Sequence, residues 1–263
     1  MKSKSFELER KFFVKDPKTF WRMVQEVSDS HRLDKYGIGE QSHKNRVYRY
    51  FDTFEGSLRD QQGVYAIYAH GESEFPLISD LQRELSPRGV LEELGASIST
   101  RERQELADCV LTIKMPTDDP LVRGDYDYPL PNPTDFYNVD PNQLDISPHL
   151  EQIRRRTKGK PLQEVIRLYI QTHRFSLHPY KIQKNERILE IALDSIVGMS
   201  LHGSYVVFSE LEIERKGQGN KTEVNVMNDY FMNRYGNHLV ESSLPKWIKA
   251  MRLIRGEEII PNA

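Results

Sequence analysis

Apolar and polar residues alternate with a period of two in several stretches of the chain, and helical spacing fills the gaps between them. In 6–14, Phe6, Leu8 and Phe12 fall to one side and Glu7, Glu9 and Lys11 to the other, as in a strand. Asp16-Pro17 then predicts a helix start, with Asp at the cap and Pro in the first turn, and Phe20, Met23, Val24 and Val27 form its apolar stripe. Further strands are predicted over 46–54, 64–70, 109–115, 169–178, 180–184, 187–194 and 205–215. Helical spacing occurs in pieces over 79–108, broken near Pro87-Arg88-Gly89, then over 151–156 and 161–168. Helices over 222–235 and 244–254 close the chain. The stretch 117–148 is rich in Pro, Asp, Asn and Tyr and reads as a long loop. With no internal repeat, the pattern describes one α+β domain over 1–263, with an insertion at about 117–165.

The same alternation gathers charge on one side of five strands. Lys114 lies with Thr112; Arg174 with Thr172 and Ser176; Glu190 and Asp194 flank Ala192; and Glu210, Glu212 and Glu214 form a row. An ordinary half-exposed sheet accounts for any one of these strands. It accounts less well for three carboxylates in a row beside strands that carry more, because like charges on adjacent strands repel without cations between them. A barrel with its apolar faces packed outward on helices and its charged faces lining a wet lumen explains all five. Charges in such a lumen require counter-ions, a metal or a charged ligand. Carboxylate oxygens suit Mg²⁺ or Mn²⁺, and Lys and Arg suit phosphate oxygens, so a metal with a polyphosphate satisfies both sets.

Composition narrows this only a little. The chain has 263 residues, 38% hydrophobic and 29% charged, with a net charge of −2, which gives no electrostatic case for nucleic acid or an anionic membrane as main partner. The single Cys109 forms no internal disulfide and no cysteine zinc cage, and its apolar neighbours predict a buried thiol. The eight His show no HExxH or HxH spacing. The N-terminus carries no signal-peptide pattern and no stretch approaches the length of a membrane helix, so a cytoplasmic protein is expected. Asp118-Asp119 to Asp127 and Arg154-Arg155-Arg156 read as solvated stretches, the arginines alternatively as a rim that steers anions inward; Trp21 and Trp247 read as core.

These residues resemble the CYTH superfamily, the triphosphate tunnel metalloenzymes, which include class IV-type adenylate cyclases and thiamine triphosphatases. Glu7-Leu8-Glu9-Arg10-Lys11 is similar to the family's opening Glu-x-Glu-x-Lys. Tyr50-Phe51-Asp52-Thr53, Leu111-Thr112-Ile113-Lys114, Arg174, Glu190-Ile191-Ala192-Leu193-Asp194 and Glu210-Leu211-Glu212 follow in the family's order. The resemblance implies an eight-stranded antiparallel β tunnel with flanking helices that binds a small triphosphate or nucleotide and hydrolyses it with Mg²⁺ or Mn²⁺. By position, Glu7, Glu9, Glu210 and Glu212 would hold metal, and Lys11, Lys114 and Arg174 would grip phosphate. Glu190 and Asp194 would orient the attacking water, so that Lys11, Glu190 and Asp194 form the catalytic set.

One strand departs from the pattern. Where the family carries Leu-Arg-x-Arg, this chain reads Gly63-Val64-Tyr65-Ala66-Ile67-Tyr68, placing Ala66 and Tyr68 at the two arginine positions. The expected lumen then holds seven acids (Glu7, Glu9, Glu190, Asp194, Glu210, Glu212, Glu214) against three bases (Lys11, Lys114, Arg174). Arg49, Arg59 or Arg187 would have to make up the difference. Otherwise the ligand is smaller or aromatic, or the domain binds without turnover. Three functions stay open: a metal-dependent triphosphatase, a binding module for a nucleotide or polyphosphate, and an adenylate cyclase.

Overall fold

The computed structural model describes residues 3–53, 97–103, 108–116, 122–129, 140, 143, 151, 153–155, 157–180, 187–201, 203–242 and 244–259. Ten strands and three α-helices are delimited among them, and 151 and 153–155 are also helical. The delimited elements are β1 (Ser3–Val14), α1 (Pro17–Asp29), β2 (Arg32–Leu33), β3 (Tyr36–Thr53), β4 (Ser97–Arg103), β5 (Asp108–Pro116), β6 (Val122–Pro129), β7 (Leu162–Pro179), β8 (Leu189–Ser200), β9 (Tyr205–Arg215), α2 (Lys221–Tyr235), β10 (Leu239–Glu241) and α3 (Lys246–Ile254).

Every ladder among the described residues is antiparallel, and eight strands pair in a cycle, β1-β6-β5-β4-β3-β7-β8-β9 and back to β1. The return is made by two half-length ladders: 3–8 of β1 pair with β6 and 9–14 with β9. Closure is therefore partial at β1, and the short β10 runs beside its end at 12–14. This is the α+β antiparallel tunnel that the alternating strands and the family resemblance predicted.

The alternation of each strand sorts its side chains. Phe12, Phe175, Ile191, Leu193, Leu211 and Ile213 lie outward in a buried layer with Phe20, Met23 and Val27 of α1 and Met227 and Phe231 of α2. The opposite, inward side divides into two zones along the tunnel. One is polar. The other is apolar and contains Ile166, Leu168, Ile170, Ile196 and Phe208, packed with Trp247, Ile248, Ala250 and Met251 of α3. Helix α3 approaches the sheet closely at Gly198, where an added Cβ would stand 3.0 Å from Ala250 Cβ and 3.2 Å from Leu168 Cδ2. A residue without a side chain there lets α3 close that end of the ring.

Several local expectations hold. Asp16 caps α1, its Oδ1 accepting from Thr19 N at 2.8 Å, and Phe20, Met23, Val24 and Val27 are buried. Asn220 and Glu223 form a reciprocal capping box at the start of α2. Others are corrected. Residues 97–103, read as part of a helical stretch, form β4, and 122–129, read as loop, form β6. In β6 the alternation of Asp125 and Asp127 with Tyr126 and Tyr128 is a strand pattern that its flanking prolines obscured. Residues 162–168, read as helical, are the first half of β7, because β3 offers an 18-residue partner that propensity cannot anticipate. Trp247 is core, but Trp21 is 49% exposed. The expected strand at 64–70, with Ala66 and Tyr68, and Arg59 lie outside the described residues.

Candidate functional site

Register places the polar inward residues of four neighbouring strands in three rows. Ser176, Glu190, Glu214 and Glu9 form the first; Arg174, Ala192, Glu212 and Lys11 the second; Thr172, Asp194, Glu210 and Phe13 the third. Alternation alone put each residue on the correct face, and the ladders then brought β7, β8, β9 and β1 together. Lys114 is on β5, four strands from β8 in either direction around the ring, with Ser97 and Asp125 as its register partners. Glu7 is two residues before Glu9 on β1, in register with Arg123; its side chain lies outside the described set.

The rows are bound together by ion pairs. Lys11 Nζ lies 2.9 Å from Glu9 Oε1 and 3.0 Å from Glu212 Oε1. Arg174 and Arg187 meet opposite oxygens of Glu190 at 3.2 and 3.1 Å, and Lys216 bridges Glu190 and Glu214. From α3, Lys246 Nζ lies 2.7 Å from Glu212 Oε1, 2.9 Å from Asp194 Oδ2 and 3.8 Å from Glu210 Oε2, while Lys249 Nζ lies 2.8 Å from Glu210 Oε1.

Six described carboxylates (Glu9, Glu190, Asp194, Glu210, Glu212, Glu214) thus meet six cations (Lys11, Arg174, Arg187, Lys216, Lys246, Lys249). The strongly acidic lumen expected from the strands is corrected by residues outside them. Of the arginines considered for this role, Arg187 takes part, whereas Arg49 is bonded to Glu164 at 2.6 Å. Lys246 and Lys249 were missed because 244–254 read only as a closing helix. The available signal was a lysine at 249 inside the apolar run Trp247-Ile248-Lys249-Ala250-Met251.

Burial and charge act against each other here. Burial raises the Glu212 carboxyl, but Lys11 and Lys246 outweigh it and hold the group well below the usual carboxylate range. Burial opposes the charge on Lys246, but Asp194, Glu212 and Glu210 hold its ammonium well above the usual lysine range. Lys249 goes the other way, pushed down by burial despite Glu210. Burial also opposes the charge on Arg174, which is nonetheless raised because the pull of Glu190 and Asp194 exceeds that cost.

Some polar atoms are left over. Arg174 Nε, Asp194 Oδ1 and Glu210 Oε2 are buried without a hydrogen-bond partner among the described residues. Asp194 and Glu210 are register partners, so two unsatisfied hard oxygens sit on adjacent strands, a donor chemistry that fits Mg²⁺ or Mn²⁺. Among the described residues no three His, Cys, Asp or Glu side chains already form a group able to hold a metal. A cavity of about 510 Å³ opens at the polar mouth, bounded by Gly39, Glu40, Ser176, Leu177, His178 and Arg187.

The chain matches no protein-family model and no curated protein. Several solved structures share its fold, among them two candidate cyclases. A candidate adenylate cyclase from Bacillus halodurans is 15% identical with a TM-score of 0.50, over 88% of this chain and 89% of that one. A candidate adenylyl cyclase from Hippeastrum, described as having a dominant triphosphatase activity, is 14% identical with a TM-score of 0.51, over 96% of this chain and 97% of that one. At these identities the likeness is one of fold. No helix among the described residues is long and apolar enough to cross a membrane.

Proposed function

We propose that the tunnel binds a triphosphate and hydrolyses it with the help of Mg²⁺ or Mn²⁺. The observation that carries this reading is the second row, where Arg174 and Lys11 stand on either side of Ala192 and Glu212. Ala192 presents only a methyl group beside Arg174, which keeps a buried Nε–H without a partner among the described residues, a donor suited to a phosphate oxygen. Lys11, Arg174 and, from across the ring, Lys114 would grip the phosphate chain. Asp194 Oδ1 would accept a hydrogen bond from the attacking water and, with Glu190, fix its direction.

A polyphosphate entering a wall whose charges are already balanced brings several negative charges that need compensation. Glu7, Glu9, Glu210 and Glu212 would hold the accompanying cation. When bound, that cation supplies charge neutralisation at the phosphoryl oxygens. The mouth cavity beside Arg187 and Ser176 offers room for whatever organic group the phosphates carry.

The test is phosphate release from inorganic triphosphate, thiamine triphosphate and ATP, each with and without Mg²⁺ or Mn²⁺. Release should require the cation, and absence of release from all three would sink the reading. A second reading, binding without turnover, is favoured by the balance of six acids with six protein cations. It predicts thermal stabilisation by triphosphate with no product formed. Formation of cyclic AMP from ATP would instead identify a cyclase.

A further inference from the structure

On the outer face of the tunnel, away from the three rows, His43 of β3 and His173 of β7 are register partners. Their Nδ1 atoms lie 3.4 Å apart. With metal–nitrogen bonds of about 2.0–2.1 Å, a cation equidistant from both would see them at about 110°, the tetrahedral angle. A square-planar ion would require the two nitrogens to close to about 2.9 Å.

We propose that His43 and His173 form a surface site for a borderline divalent transition ion, Zn²⁺ by geometry, with the two Nδ1 atoms as ligands and water in the remaining positions.

Two contacts support the site. Gln171 Nε2 lies 3.1 Å from His43 Nε2 and donates to it; a half-turn of the amide on metal binding would bring its oxygen to the same place, hold that nitrogen protonated and free Nδ1 for metal. Trp21 packs edge-on against His173 with ring centroids 5.8 Å apart and limits its movement. Among the described residues no third His, Cys, Asp or Glu completes a metal-holding group. Imidazole nitrogen selects Zn²⁺, Ni²⁺ or Cu²⁺ over the Mg²⁺ or Mn²⁺ proposed for the carboxylates inside.

Isothermal titration of the full chain with Zn²⁺ in saturating Mg²⁺ should show one ion per chain. His43→Ala and His173→Ala should each weaken binding by more than about 10-fold, and Gln171→Ala by roughly 10-fold. Co²⁺, a paramagnetic ion that accepts tetrahedral geometry, should quench Trp21 fluorescence in the parent chain, and much less in His43→Ala. Trp247 is buried, and Trp21→Phe identifies its share of the signal. No saturable Zn²⁺ binding, undiminished binding in His43→Ala, or half an ion per chain, which means bridging between two copies, would each overturn the proposal. His43 is exposed, so its variant decides the matter even if His173→Ala fails to fold.

Discussion

Lys249 and Glu210 form an ion pair of 2.8 Å in which neither side chain is exposed to solvent. Such a pair gives back little more than its own desolvation cost, yet removing one partner strands the other. Lys249→Met is therefore expected to destabilise the protein by about 3–5 kcal/mol. Adding Glu210→Gln should recover a substantial part. Urea unfolding of the two singles and the double measures the coupling, and additive losses would contradict it.

Lys246 contributes differently, because it touches Asp194, Glu210 and Glu212 together. Its ammonium would compete with a divalent ion for these carboxylates. Lys246→Met should lower stability without metal and increase the stabilisation given by Mn²⁺, read as a larger rise in melting temperature than in the parent chain. An unchanged Mn²⁺ response would argue that the cation does not use these carboxylates.

Glu212 makes a prediction about pH. Its folded pKa is depressed, so its pairs with Lys11 and Lys246 contribute stability above the ordinary value of 4.5, and that contribution is lost as pH falls through the folded value. The raised Lys246 has the opposite sign: its contribution is present below the ordinary value of 10.5 and is lost only above it. The stability difference between the parent chain and Glu212→Gln should be flat near neutrality and shrink in acid. A difference that grows on acidification would reverse the assignment.

Gly198 tests the closure of the tunnel by α3. Gly198→Val would press on Ala250 and Leu168, and is expected to cost about 1–3 kcal/mol in urea unfolding. Loss of the Tyr50–Trp247 stacking environment, read by Trp247 fluorescence, should accompany it.

For the phosphate site, Arg174→Met should weaken triphosphate binding by roughly 10- to 100-fold, the loss of one charge-assisted hydrogen bond. Equal binding by calorimetry would place the ligand elsewhere.

The inward row Glu210, Glu212 and Glu214 and the pair Glu9 and Lys11 were legible as single faces, since strand alternation is a local property of consecutive residues. β6 was hidden by prolines and β7's first half by helix-like spacing, because a strand's identity depends on the partner it finds. His43 and His173 are 130 residues apart and match no metal spacing along the chain; only the β3–β7 ladder joins them.

By itself, then, the sequence determined which residues share a face, where α1 begins, and the order of motifs that resemble a phosphate-binding tunnel. The tertiary structure decided how those faces are neutralised. Lys246 and Lys249 enter from a helix more than about thirty residues beyond the acids they meet. Coulomb attraction depends on distance in space, and no pattern along the chain encodes it.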